Sequence, residues 1–128
     1  MKKAFPYFKK GSQHFPIVPV TLTRGNNRIT IEALIDSGAS FSVFRPEVAE
    51  YLGIPITNGA RIQLSGIGGK ITGYLHTLTV QFGSKKFPCK IIFSPEFNVS
   101  FNLLGRDNFF VPFIISFKEK TRQIVIES

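Results

Sequence analysis

Apolar and polar residues alternate through Ile17-Val18-Pro19-Val20-Thr21-Leu22 and again through Arg28-Ile29-Thr30-Ile31-Glu32-Ala33-Leu34-Ile35, with Arg24-Gly25-Asn26-Asn27 between them. A two-residue period on both sides of a Gly-Asn-Asn turn predicts a β-hairpin. Pro19 has no N–H for a ladder bond, so its strand is expected at an edge there. The second strand runs into Asp36-Ser37-Gly38-Ala39-Ser40, a tight polar turn leaving a buried strand. A carboxylate therefore stands at the end of an apolar run, at the floor of something rather than on a solvated face.

Beyond that turn, Phe41-Ser42-Val43-Phe44 is β-like, and Arg45 to Gly53 reads as a short helix with Pro46 in its first turn, Glu47 at its positive end and Gly53 as its stop. Two alternating arms, Arg61 to Ser65 and Lys70 to Tyr74, flank Gly66-Ile67-Gly68-Gly69. This pattern predicts a flexible hairpin with an apolar tip, a shape that can act as a lid. Leu75 to Phe82, Lys85 to Phe93, Phe101 to Gly105 and Gln123 to Ile126 read as further strands, with a helical turn over Arg106 to Phe110 stopped by Pro112. Residues 1–15 show no period and are broken by Pro6 and Gly11. They read as an N-terminal extension to one mainly β domain spanning 16–128, with no repeat or linker.

Composition narrows the function classes. The chain has 128 residues, enough for one modest core, and its 14 Phe with no Trp supply most of the aromatic burial. The longest nearly apolar run, Phe109 to Phe117, is far short of the ~18 residues of a membrane span. The opening Met1-Lys2-Lys3, followed by Pro6, Lys9 and Lys10, has no signal-peptide series. A soluble, cytoplasmic protein with no membrane partner is expected. The single Cys89 can form no internal disulfide and reads as apolar filler in a strand, in keeping with a reducing compartment. His14 and His76 lie far apart without a metal-ligand series, so neither a metal nor any other cofactor is expected. The net charge of +8 draws attention to Lys2, Lys3, Lys9 and Lys10, interleaved with Phe5, Tyr7 and Phe8. That mixture can bind single-stranded nucleic acid. A solvated basic tail or a poorly ordered first strand accounts for it as well, so nucleic acid is not the expected partner.

Three segments now stand in order: Asp36-Ser37-Gly38-Ala39, Gly66-Ile67-Gly68-Gly69, and Leu103-Leu104-Gly105-Arg106-Asp107. Together, from about Pro16 to the C-terminus, they resemble the retropepsin-like aspartic proteases, the group containing retroviral proteases and their cellular relatives. The resemblance implies a mainly β, closed β-barrel-like acid protease fold, one lobe per chain, with one or two short helices. It makes Asp36 the catalytic aspartate, with Ser37 bonding across a dimer and Gly38 allowing close backbone approach. Ala39, Ser40, Gly66, Ile67, Gly68 and Gly69 become substrate-binding, the glycine hairpin being the flap. Leu104, Gly105, Arg106 and Asp107 become the structural support behind the catalytic loop. Retroviral enzymes usually carry an acid where this chain has Ser40, which leaves the partner of Arg106 open; many cellular relatives have Ala-Ser there.

Water activation by such a site needs two carboxylates sharing one proton, for which aspartic proteases are the standard instance. Asp107, the other aspartate, falls in the structural segment, so a homodimer must bring a second Asp36. The implied function is an aspartic endopeptidase acting on peptide or protein substrates. The alternative is a dimeric retropepsin-like module that binds extended peptides and cleaves them weakly or not at all.

Overall fold

The computed structural model describes residues 1–66 and 69–128. The chain opens with strands β1 (Lys2–Pro6), β2 (Phe8–Lys10) and β3 (Gln13–Phe15). The expected hairpin follows as β4 (Ile17–Arg24) and β5 (Asn27–Ile35), then β6 (Ser42–Phe44), helix α1 (Pro46–Leu52) and a single 3-10 turn at Ile56–Asn58. The second half holds β7 (Ala60–Gly66), β8 (Gly69–Phe82), β9 (Lys85–Phe93), β10 (Asn102–Leu104), β11 (Ile114–Lys118) and β12 (Gln123–Glu127).

β4 and β5 pair antiparallel from Ile17↔Leu34 to Arg24↔Asn27. The hairpin is the start of a seven-stranded sheet in the order β4-β5-β10-β6-β9-β8-β7. Thr21–Thr23 of β4 also pair with Thr79–Gln81 of β8, which closes six of the strands into a ring. Closure removes the edges that an open sheet would leave unpaired. Pro19 lies outside the β8 contact and is exposed, so no strand on that side asks it for an N–H. β7 is carried outside the ring: Gly69 to Gly73 of β8 pair with β7 alone, and pairing with β9 begins at Tyr74. The fold is mainly β and barrel-like, as the family resemblance implies.

Helix α1 buries Val48, Ala49 and Leu52. Its start carries Pro46 and Glu47, and Gly53 takes the left-handed conformation (φ 70°) that ends it. The turn of the β4–β5 hairpin caps the exposed carbonyls: Arg24 Nη1 donates to Gly53 O (2.7 Å) and Asn27 Nδ2 to Leu52 O (3.0 Å). Arg45 beside Glu47 holds that exposed carboxyl below its ordinary pKa.

Two departures from the sequence reading have clear physical reasons. Residues 1–15 form strands. β1 pairs with β12, which pairs with β11, as a three-stranded sheet, while β2 and β3 form a small hairpin. In β1 only Phe5 reaches the core, 5.6 Å from Phe82 between ring centroids, so no alternation marked the strand. Tyr7 then locks it in place. Its N–H donates to Arg122 O (2.8 Å) and its hydroxyl to Glu119 Oε1 (2.9 Å). Burial first, then that bond, push the phenol up to about 12, so it stays protonated through mildly alkaline pH. Lys2, Lys3, Lys9 and Lys10 all remain solvent-exposed, with Lys10 over the Phe101 ring.

The second departure is the helical turn expected over Arg106 to Phe110. Asp107 is extended (φ −70°, ψ 119°) and Asn108 has positive φ (70°), so the helix is not regular. Asn108 Oδ1 accepts the Lys90 N–H (3.3 Å), which ties the turn to β9. Phe109 is thereby driven into an aromatic cluster with Phe82, Phe87 and Phe113, at centroid distances of 5.4 to 6.0 Å. Such pairs contribute about 0.5–1.5 kcal/mol each beyond area burial.

Cys89, on β9, is fully buried. Burial first, then the nearby Asp107 charge, push its thiol up to about 12. A thiol-specific reagent at pH 8 should therefore leave Cys89 unmodified in the folded protein and label it completely after denaturation. Rapid labelling of the folded protein would contradict this placement.

Candidate active site

Asp36 is positioned by the end of β5. The Ile35 N–H donates to Pro16 O (2.9 Å) and the Asp36 N–H to Leu104 O (3.0 Å), so the strand is held until the carboxylate emerges. The chain then reverses. The Ala39 N–H donates to Asp36 O (3.1 Å), and the Gly38 N–H donates to Asp36 Oδ1 (3.0 Å). Aspartate suits this place because its short side chain can accept a bond from the backbone two residues on. Asp36 itself is half-buried, with one face toward a broad open cleft of about 910 Å³.

The third sequence segment latches onto this loop from behind. The Arg106 N–H donates to Ala39 O (2.9 Å) and the Asp107 N–H to Ser40 O (2.7 Å). The buried Ser42 Oγ accepts the Gly105 N–H (3.0 Å). Gly105 permits the contact: a Cβ there would stand 2.3 Å from Phe41 O and 2.4 Å from Phe41 C. Leu104 is fully buried, and β10 pairs parallel to β5 at Leu104↔Ile35. Buried Asn102 pins the same strand, donating to Glu32 O (3.1 Å) and accepting the Arg45 N–H (2.8 Å).

Asp36, Gly38, Ala39, Ser40 and Gly69 line one cleft. Ser37 is exposed and does not line it. Gly66 pairs with Gly69 at the end of the β7–β8 hairpin, while Ile67 and Gly68 lie outside the described residues. Asp107 does not line the cleft, and its charge lies near enough to Cys89 to raise that thiol. A Cβ on Gly38 would meet only Asp36 Oδ1, at an ordinary 3.4 Å, so nothing described in its own chain demands glycine there.

Sequence reasoning missed the walls. Leu64 and Ile71, opposite each other across β7 and β8, give one apolar wall, a pairing already implicit in the alternating arms. Glu96 and Phe97 give another, from an irregular turn with no sequence signal. That turn is built on Ser94: its buried hydroxyl donates to Thr72 O and accepts the Glu96 N–H (3.1 Å), and Glu96 Oε2 accepts the Thr72 N–H (3.2 Å). Wall and hairpin arm are thus joined by two bonds, and the third holds the turn itself.

A family model described as aspartyl protease matches residues 18–107, from β4 through the latch residue Asp107. The chain belongs to the retropepsin-like aspartyl protease family. Among its relatives in that family, DNA damage-inducible protein 1 of Neurospora crassa is 37% identical over 84 residues, which is 63% of this chain and 19% of that protein. The chain thus spans about a fifth of that relative's length. EIAV protease, solved in complex with the inhibitor HBY-793, superposes with a TM-score of 0.57 at 19% identity, covering 77% of this chain and 88% of that one. That likeness shows the shared fold. In this family member the matched span includes the Asp36 loop, both hairpin arms and the segment that supports the loop. β1 to β3, β11 and β12 lie outside it. Among the described residues no helix is long and apolar enough to cross a membrane.

Proposed function

We propose that the protein is a homodimeric aspartic endopeptidase in which Asp36 of each copy contributes one carboxylate to a shared site. The observation that carries this reading is the placement of Asp36 at a cleft, emerging from a strand end that backbone bonds hold on both sides. Family membership supports it independently.

One chain supplies half of the chemistry. Of the two aspartates, Asp107 is engaged behind the loop, and Glu96 is held on the wall by the Thr72 N–H. A second Asp36 across a twofold axis completes the pair. Two carboxylates at short range cannot both ionise cheaply, so they share a proton. One then takes a proton from water as the other gives one to the substrate carbonyl oxygen. The water oxygen bonds to the carbonyl carbon, and collapse of the adduct breaks the C–N bond as the amine is protonated.

The remaining roles follow. Ser37, exposed in the single chain, bonds across the dimer to fix the two loops. Gly38 keeps the site open to the water and the partner loop, a need that arises from outside its own chain. The β7–β8 hairpin serves as a flap, with the Ile67 N–H bridging through water to substrate carbonyls. An extended peptide then lies as an added strand between flap and floor, its apolar side chains against Leu64, Ile71 and Phe97. Leu104, Gly105, Arg106 and Asp107 hold the loop.

The second reading, a dimeric peptide-binding module of weak or no activity, draws on Ser40, since Arg106 makes no ion pair among the described residues. Incubation with a diverse peptide mixture from acid to neutral pH, beside the Asp36→Asn variant, separates the two. Cleavage lost in the variant supports the peptidase; peptide binding without cleavage by a dimeric wild type favours the module.

A further inference from the structure

The cleft is the acidic spot on a basic protein. The chain carries 16 Lys and Arg against 8 Asp and Glu. Yet the residues lining the cleft include Asp36 and Glu96 and no Lys or Arg. Asp36 is committed to the proposed chemistry. Glu96 has no such task, and among the described residues it forms no ion pair.

Glu96 is also held in place. Its N–H is bound by Ser94 Oγ, and its Oε2 accepts the Thr72 N–H from the hairpin arm. Oε2 keeps a further lone pair, and Oε1 has no partner among the described residues. Phe97, next to Glu96 in sequence, and Ile71, next to Thr72 on the arm, line the same cleft and are apolar; Asn98 there is polar. A fixed anion on a largely apolar wall is a recognition element for a cation on an aliphatic stem, which can lay its methylenes on the wall and its charge on the carboxylate.

We infer that Glu96 makes the cleft select peptides carrying a Lys or Arg side chain at the position it faces, flanked by apolar residues. This rests on the reading of the cleft as a peptide site and adds the charge of the substrate to it. The protein's overall positive charge does not cancel the preference. At physiological salt, charges farther than about 8 Å are largely screened, whereas a contact with Glu96 is not. In a twofold dimer the preference appears on both sides of the scissile bond, one position for each copy.

The hydrogen bond to Thr72 gives Glu96 a merely structural alternative, supporting the hairpin arm, and the choice of variant separates the two. Glu96→Gln keeps an acceptor for the Thr72 N–H and loses the charge; Glu96→Lys reverses the charge. The readout is a ratio within each protein: kcat/KM for peptides with Lys or Arg at the selected position, over the same peptides with the neutral glutamine or norleucine. Wild type should show a ratio of about two to five, as expected for a solvent-exposed ion pair. Glu96→Gln should bring it close to one, and Glu96→Lys should move the preference to Asp or Glu. Raising the salt to 1 M should shrink the wild-type ratio.

A wild-type ratio of one, or a basic preference that survives in Glu96→Gln, would overturn the inference while cleavage itself left the peptidase reading intact. If wild type cleaves nothing, the same ratios are read from binding of fluorescent peptides to the wild-type protein, with the same two outcomes. Absence of both cleavage and binding would sink the peptide-site reading and the inference together.

Discussion

Replacing Asp36 by Asn should lower kcat/KM by roughly 10²- to 10⁴-fold, the contribution expected of a positioned acid or base, while fold and dimer persist. The substitution is well matched to the site. Asn keeps an oxygen where Asp36 Oδ1 accepts the Gly38 N–H, and the backbone bond from its own N–H to Leu104 O does not involve the side chain. The loop therefore stays folded, and only proton transfer is removed. The dimer should persist, because two facing amides can hydrogen-bond to each other as the proton-sharing carboxylates do. Peptide cleavage followed by mass spectrometry, with sedimentation on the same samples, reads both effects. Retained cleavage would refute the mechanism, and loss of the dimer would mean that Asp36 has a structural role not seen in its contacts.

Gly105→Ala should destabilise the protein by about 3–5 kcal/mol, near the upper end for single substitutions. The added methyl would fall 2.3 to 2.9 Å from three backbone atoms of Phe41. Neither side can give way cheaply. Leu104 is paired to Ile35 and accepts the Asp36 N–H, while the chain from Ala39 to Ser42 receives the N–H groups of Gly105, Arg106 and Asp107. Any movement that relieves the clash displaces the Asp36 loop, and a misplacement of about 1 Å can cost a proton-transfer site some 10²-fold. Denaturant unfolding and peptide cleavage should therefore fail together. A variant with wild-type midpoint and rate would contradict the latch described between these two segments.

The parts of the fold legible in sequence are those in which burial alternates strictly. β4, β5 and the two arms of the β7–β8 hairpin each place one face on the core and one toward solvent, so their presence could be read, although the arm expected to end at Tyr74 and the strand expected from Leu75 are one continuous β8. Helix α1 was legible through its ends, Pro46 and Gly53. β1 was not, because it anchors through Phe5 alone and owes its place to β12, more than a hundred residues away. β11 was hidden in the apolar run Phe109 to Phe117, where the aromatic cluster and the strand follow each other without a change of composition. The irregular turn at Asp107 and Asn108 depends on a bond to Lys90, a contact no local rule contains.

The candidate site divides along the same line. Asp36 has a local signal, a carboxylate binding its own turn, whereas its latch was reached through the family resemblance, because Gly105 meets Phe41 from far along the chain. The cleft walls are assembled from two separate stretches, the β7–β8 hairpin and the turn at Glu96, and Glu96 acquires its position through Ser94 and Thr72. No spacing in the sequence records that arrangement.

The central claim, that each site needs Asp36 from two copies, is tested most directly by mixing. Wild-type protein is held at a fixed concentration well above its dimer dissociation constant, Asp36→Asn is added, the chains are allowed to exchange, and peptide cleavage is measured. If every active site takes one aspartate from each copy, random pairing cuts the rate to about half at an equal amount of variant and to about a tenth at a ninefold excess. A rate that stays constant as the variant is added would contradict the account, because each chain would then be working alone.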